Sequence, residues 1–336
     1  MEHSAEHKPF FSIVIPAFNR EKEILRAINS CLTQSFTDFE VVVVDDASTD
    51  QTVAVVEGVK DGRMRLVRHA VNRNVSPARN TGSSHSLGEW IVFLDSDDIL
   101  LPGALQKIWA EAVNCPAEIA QLGFLFDRED GRLSPEPIPQ ECVLDYIGYM
   151  KFRNDLVLSD WVQCTRRSTF DFVKFPDSRA YESPYLLDFT QKYMIRLIPE
   201  TVGFKYLDSA NRITSSSGRE KVNKIVRDAP EHLAAAEYLL ARHGTTLRKY
   251  APRRYHVFRK MQLLFSFLAG QRWKGSKLSI EYVSSYPGDL SGWVIWMAGL
   301  IGPRTLAKVR LAKVKTQKTF TKPITSVKLS REENAL

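Results

Sequence analysis

Three carboxylates, Asp95, Asp97 and Asp98, stand within four positions in "LDSDD" at 94–98. Two more, Asp45 and Asp46, stand side by side in "VVVVDDASTD" at 41–50. Both groups follow directly on apolar runs. Like charges at such spacing repel unless a cation lies among them, and a hard divalent ion with oxygen ligands is the matching partner. An ionised carboxylate is also a pure acceptor, so it can read an N–H of a ligand. No G-x-G-x-x-G follows the first apolar run and no G-x-x-x-x-G-K-[ST] occurs, which argues against dinucleotide and P-loop chemistry. If a diphosphate binds here, a metal has to neutralise it. The four cysteines (Cys31, Cys115, Cys142, Cys164) are far apart, without metal-ligand spacing, and read as reduced thiols of a cytosolic protein.

The elements that must carry these carboxylates follow from hydrophobic pattern. Apolar runs occur at Phe11–Ile15, Phe39–Val44, Met64–Val67, Trp90–Leu94 and Ile119–Phe126. Helix-like segments lie near 21–34, 50–60, 77–87 and 103–114. Ser76-Pro77 offers an N-cap with proline in the first turn, and Pro102 suits another first turn. Alternation of this kind, with continuous β-branched runs, predicts an α/β fold: a mostly parallel sheet flanked by helices. In such sheets ligands bind beyond the carboxyl ends of the strands. "PAFNR" (16–20), "DDASTD" (45–50) and "DSDD" (95–98) should all open on that edge. Residues 127–160 read as irregular, 161–212 as a second block with a helix at 183–197, and 222–270 as helices. The expected organisation is a domain at 10–220, a helical extension at 221–302 and a basic tail at 303–336.

"FSIVIPAFNREKEILRAINSCLTQSFTDFEVVVVDDASTDQT", "NRNVSPARNTG" and "GEWIVFLDSDDILLPGAL" together resemble a family 2 glycosyltransferase, the inverting class with the GT-A fold. The resemblance is strong over about 10–115 and weak over 160–212. It implies that 10–126 binds a nucleotide-sugar donor and that 127–220 builds the acceptor site. Pro16 and Phe18 would line the base site, Asp46 would accept from a uracil ring, and Arg79 would contact the nucleotide. Asp97 would lie near ribose and metal, Asp98 would be a direct ligand of Mg²⁺ or Mn²⁺, and Asp95 would sit close by. The family often shows Glu-Asp at the general base. Here Glu182-Ser183 falls at that place, and serine cannot deprotonate a hydroxyl unaided. Glu182 and Asp188 are therefore the candidate bases.

Charge adds a second theme. The chain has 46 Lys+Arg against 39 Asp+Glu, a formal net charge of +7. Nine basic and no acidic residues lie between Pro303 and Arg331, followed by Glu332 and Glu333. Without these the body is balanced: 46 less nine and 39 less two leave 37 of each sign. A neutral body argues against a nucleic-acid-binding face, and a basic tail suggests an anionic surface as partner. "WVIWMAGLIG" at 293–302 is too short to cross a bilayer, but its tryptophans and the basic residues after it suit a membrane interface. No signal peptide is visible in "MEHSAEHKPF". The expected protein is cytoplasmic, peripheral on the inner face of a membrane through 291–331. It would transfer a sugar, from a UDP-sugar by preference, to a glycan or lipid-linked acceptor. A catalytically inactive nucleotide- or glycan-binding scaffold of the same fold is the alternative. A nucleotidyltransferase is a third reading, poorly served by "PAFNREKE", which lacks a glycine-rich loop.

Overall fold

A computed structural model of the 336-residue chain describes residues 8–136, 140–155, 160–177, 183–207 and 218–320. The elements alternate as the hydrophobic pattern requires: β1 (Phe11–Ala17), α1 (Ile24–Leu32), β2 (Phe39–Asp45), α2 (Thr52–Gly58), β3 (Met64–Arg68), α3 (Val75–His85), β4 (Trp90–Phe93), β5 (Asp98–Leu100) and α4 (Ala104–Ala112). Then come β6 (Ile119–Arg128), β7 (Leu133–Ser134), β8 (Cys142–Leu144), α5 (Tyr146–Asp155), β9 (Val162–Arg166), α6 (Ser183–Thr190) and β10 (Met194–Lys205). Six helices end the described chain: α7 (Gly218–Arg227), α8 (Ala229–Tyr250), α9 (Pro252–Leu268), α10 (Arg272–Ser285), α11 (Leu290–Ile301) and α12 (Pro303–Phe320). The chain folds as two compact units. One is 1–216 with 231–262, and the other is 217–230 with 263–336.

The first unit is built on one sheet in the order β3-β2-β1-β4-β9-β6-β10-β5. β3, β2, β1 and β4 are mutually parallel. β9 runs antiparallel to both β4 and β6, β6 and β10 are parallel, and β5 closes the path antiparallel to β10. Every residue of β2 is buried, because helices cover both faces, and that is why its middle, 41–44, is an unbroken valine run. Alternate residues divide between two cores. Ile13, Ile15 and Val43 pack with Ile24, Ile28 and Ile108 on one face. Val14, Val42 and Phe93 pack with Ala78, Tyr185 and Phe189 on the other. Gly82 lets α3 lie directly on β1, since a Cβ there would stand 2.2 Å from Val14 Cγ1.

Two segments depart from the pattern reading. The helix expected at 183–197 ends at Thr190, and β10 begins at Met194. The reason is visible in "MIRL": Ile195 and Leu197 are buried while Met194 is exposed, a period of two that belongs to a strand. Residues 127–160 are less irregular than expected, since β7, β8 and α5 fall there. The prolines at 135 and 137 and the acidic residues around them mask these short elements.

Candidate active site

The loops after β1 and β2 are laced together at the carboxyl edge of the sheet. Asn19 and Ala47 take positive φ, 53° and 61°. Asp46 N–H donates to Ala17 O at 2.8 Å, Asn19 N–H to Ser48 Oγ at 2.9 Å, and Thr49 N–H to Asn19 Oδ1 at 2.8 Å. Asp50 Oδ1 accepts from Thr52 N–H at 2.9 Å, at the first residue of α2.

Asp46 organises the neighbouring loop. Its Oδ1 accepts from Arg73 N–H at 2.8 Å and lies 2.7 Å from His69 Nδ1, and its Oδ2 accepts from Asn74 N–H at 2.6 Å. His69 Nε2 lies 2.9 Å from Thr81 Oγ1 on α3. A ring protonated at Nδ1 satisfies both contacts, with the threonine hydroxyl donating to Nε2. The carboxylate thus holds the β3–α3 connection, including Asn74 at φ 77°, and only 4% of its side chain is exposed. A carboxylate has about four acceptor positions; three are used, and one on Oδ2 remains.

The "DSDD" turn is ion-paired with two cations, Arg79 and Lys205. Arg79, reaching from α3, donates from Nη2 to Asp95 Oδ1 at 2.8 Å. Its guanidinium stands 5.8 Å from the Phe93 ring centre and 5.5 Å from that of Phe175. Lys205 Nζ, at the end of β10, stands 3.1 Å from Asp98 Oδ2, 3.6 Å from Asp160 and 3.9 Å from Asp95. The register makes this pair: Lys205 is the cross-strand partner of Asp98. Arg26 Nη2 donates to the Asp97 carbonyl at 3.1 Å, and its guanidinium lies on the Tyr206 ring, 3.4 Å from the centre.

Burial sets the electrostatics. It pushes Asp95 upward, but Arg79 and Lys205 more than offset this and hold the carboxyl below its ordinary value. Asp98, with 1% of its side chain exposed, is pushed up to about 7. Burial is the main cause; Lys205 opposes it, and Asp95 and Asp97 add to it. Burial lowers Lys205, but the carboxylates around it outweigh that and raise it.

These positions test the fit of a divalent cation. The ligands are hard oxygens, and Asp98 Oδ1 is buried without a hydrogen-bond partner among the described residues. The three carboxylates do not converge into one preformed cluster among the described residues. Arg79 draws Asp95 one way, and Lys205 supplies the positive charge between Asp95 and Asp98. The residue types fit a cation, and Lys205 stands where it would compete.

The remaining expected residues fall as follows. Pro16 is buried near the end of β1, paired in register with Val44. Phe18 is 41% exposed at the mouth of the laced loops. Glu182 and the basic stretch beyond 320 lie outside the described residues. Asp188, the other expected base, is locked into a network with α8: Tyr238 OH donates to Oδ2 at 2.6 Å, and Arg242 Nε and His243 Nε2 lie 2.8 and 3.2 Å from Oδ1. Tyr146 OH closes the network, 2.7 Å from His243 Nδ1. Burial pushes Asp188 up, yet the hydrogen bonds from His243 and Tyr238 with the Arg242 charge more than offset it and leave it below its ordinary value. So engaged, Asp188 is a poor proton acceptor and a good brace between α6 and α8. Sequence reasoning missed His69, Lys205 and Arg26. For the first two the one signal is position at a strand end, His69 directly after β3 and Lys205 as the last residue of β10.

Known proteins add the family. The glycosyl transferase family 2 profile matches residues 12–170. An uncharacterized glycosyltransferase of Haemophilus influenzae is 37% identical over 183 residues, 54% of this chain and 71% of that protein. The succinoglycan biosynthesis protein ExoO of Rhizobium meliloti is 42% identical over 112 residues, 33% of this chain; the match spans 32% of that relative's length. Staphylococcus aureus TarS 1–349, solved with UDP-GlcNAc, superposes with a TM-score of 0.56 at 18% identity, covering 90% of this chain and 92% of that one. That likeness shows the fold alone, a GT-A sheet with helices on both faces. With the Haemophilus relative matched over more than two thirds of its length and the profile spanning β1 to β9, the chain belongs to glycosyl transferase family 2.

Proposed function

We propose that this protein is an inverting glycosyltransferase. It moves a sugar from a UDP-sugar to a glycan or lipid-linked acceptor in the synthesis of a surface polysaccharide or glycolipid. The observation that carries the reading is the placement of Asp46, the Arg79–Asp95 pair and the Lys205–Asp98 pair at the carboxyl ends of β2, β4 and β10 of one sheet. That edge is where an α/β sheet binds its ligand. The donor class has support from a fold neighbour solved with UDP-GlcNAc. The pathway class has support from the relative named for succinoglycan biosynthesis.

In this reading the free acceptor position of Asp46 Oδ2 takes the imino N–H of uracil, and the exposed Phe18 ring and Pro16 face the base. Arg79, already oriented by Asp95, meets the nucleotide, and Asp97 meets the ribose. Asp95, Asp97 and Asp98 would hold Mg²⁺ or Mn²⁺. The ion supplies Lewis-acid neutralisation of the departing diphosphate. A single displacement with inversion needs one base for the acceptor hydroxyl and no protein nucleophile. Glu182 is the base, because Asp188 is engaged by α8. The carboxyl-terminal region, 291–331, meets an anionic membrane surface, which is where a lipid-linked acceptor is found.

Calorimetric titration of UDP, with and without Mn²⁺, into the protein and into Asp98→Ala tests the site. Metal-dependent binding abolished by the substitution is expected. No binding of UDP, GDP or dTDP in either condition refutes the nucleotide site. One observation favours a second reading: serine at 183 stands where the family's base is expected. UDP binding with no transfer from any UDP-sugar, and no effect of Glu182→Gln on it, would make the protein a nucleotide-binding scaffold.

A further inference from the structure

The second compact unit contains a helix packed inside out. α11 has no charged residue. Its inward side is made of small residues. A Cβ on Gly292 would stand 2.7 Å from the Tyr282 ring, and one on Gly299 would stand 2.5 Å from the Phe267 ring. Ala298 is buried beside them. The large apolar residues face away. Leu290 is 75% exposed, Met297 62% and Ile301 71%, with Trp293, Val294 and Leu300 also exposed. Their spacing of three and four residues puts all six on one helical stripe. A soluble helix normally turns its large apolar residues inward, so a continuous outward stripe marks a contact surface.

The surroundings of the stripe identify the contact. α11 packs against both α10 and α12. α10 presents exposed Arg272, Lys274 and Lys277, and α12 presents exposed Arg304 and Lys308. Trp273 of α10 is 87% exposed. From 272 to 331 the sequence holds twelve basic residues against two acidic ones, Glu281 and Asp289. Of these, Asp289 caps α11, accepting from Ser291 N–H at 2.9 Å and from Tyr282 OH at 2.6 Å. A stripe of Leu, Met, Ile and Trp edged by Lys and Arg matches the boundary between acyl chains and anionic headgroups. A protein partner would call for complementary acidic groups, and water favours neither the tryptophans nor the stripe. Among the described residues no helix is long and apolar enough to cross a membrane, so the fitting geometry is a helix lying in the interface plane.

We infer that α11 lies in the surface of an anionic membrane, with Leu290, Trp293, Val294, Met297, Leu300 and Ile301 among the acyl chains and the cations of α10 and α12 on the headgroups. This deepens the membrane partner proposed above by assigning its inserted face. It rests on that reading for its biological sense but not for its test. The test is sedimentation of the full chain with phosphatidylglycerol–phosphatidylcholine vesicles against pure phosphatidylcholine vesicles, with tryptophan quenching by brominated acyl chains. Strong anionic-vesicle binding with quenching is expected. A variant carrying Trp293→Ser, Met297→Ser and Ile301→Ser should weaken binding by more than about ten-fold. Arg304→Glu with Lys308→Glu, which leaves the apolar packing untouched, should weaken it by about five-fold per cation removed. The UDP titration should be unchanged in both, which separates failure of this inference from failure of the nucleotide site. No binding to anionic vesicles overturns the inference. So does binding that all variants retain, or self-association in sedimentation velocity that the serine variant abolishes while vesicle binding persists.

Discussion

Asp46→Asn separates the two tasks placed on this carboxylate, holding the β3–α3 loop and reading a ligand. Asparagine keeps the shape of the side chain and removes one acceptor oxygen. If the amide oxygen takes the place of Oδ1, the Arg73 N–H and His69 contacts survive. The amide NH₂ then confronts the Asn74 N–H, which donates to Oδ2 at 2.6 Å in the native protein. If the amide is turned over, two donors are lost instead of one. The least costly arrangement forfeits one charge-assisted hydrogen bond and leaves a buried N–H facing another donor. Each such loss is worth about 1–3 kcal/mol, so the loop should open more easily by about 2–4 kcal/mol.

The loop can open without the rest of the sheet, so the readout should be local. Hydrogen exchange of the Arg73 and Asn74 amides is expected to accelerate by roughly 30- to 900-fold, the equivalent of about 2–4 kcal/mol. Amides in the middle of β1 and β2 should change little. His69→Ala removes one of the three contacts and should act in the same direction more weakly. In the double variant the two effects should fall short of their sum, because both residues hold one loop. UDP affinity should fall with loop protection. Unchanged exchange at 73 and 74 with UDP binding lost would refute the loop-holding argument and leave Asp46 as a ligand group alone.

Asp188→Asn removes the charge and one of the two acceptor oxygens that Tyr238, Arg242 and His243 share, and should lower stability in urea at pH 7 by about 1–3 kcal/mol. The native carboxyl is held below its ordinary value of 3.8, so its contribution is present above about pH 4 and is lost as pH falls through the folded value. The asparagine variant should lack that acid-range loss. A large fall in transfer rate with stability intact would instead make Asp188 the base. Gly82→Ala places a methyl group 2.2 Å from Val14 Cγ1 and should cost about 1–3 kcal/mol in urea unfolding. Val14→Ala in the same chain should return part of it, and a purely conformational effect of glycine would show no such rescue.

The two halves of the sheet differ in how they could be read, and the difference is physical. β1, β2 and β4 lie inside a parallel sheet covered on both faces, so their sequences are continuous apolar runs whose carboxylates mark the ligand edge without further help. β9 and β10 join that sheet antiparallel to β4 and β5. β10 follows α6 after only three residues, so its alternation merged with the helical pattern before it. Losing β10 meant losing Lys205, since nothing local distinguishes a lysine whose partner is Asp98, more than a hundred residues upstream. Only the pairing of β10 with β5 sets the two opposite each other. The same holds for His69 and Asp46, joined because β3 lies beside β2. α11 shows the converse. Its composition announced an interface, but which residues face outward depends on the glycines that let Phe267 and Tyr282 press against its other side. The carboxylates of this site could be read along the chain, whereas the cations that hold them follow from strand order. The competition between Lys205 and a divalent ion for Asp98 is therefore a question that the sheet poses and the motif alone does not.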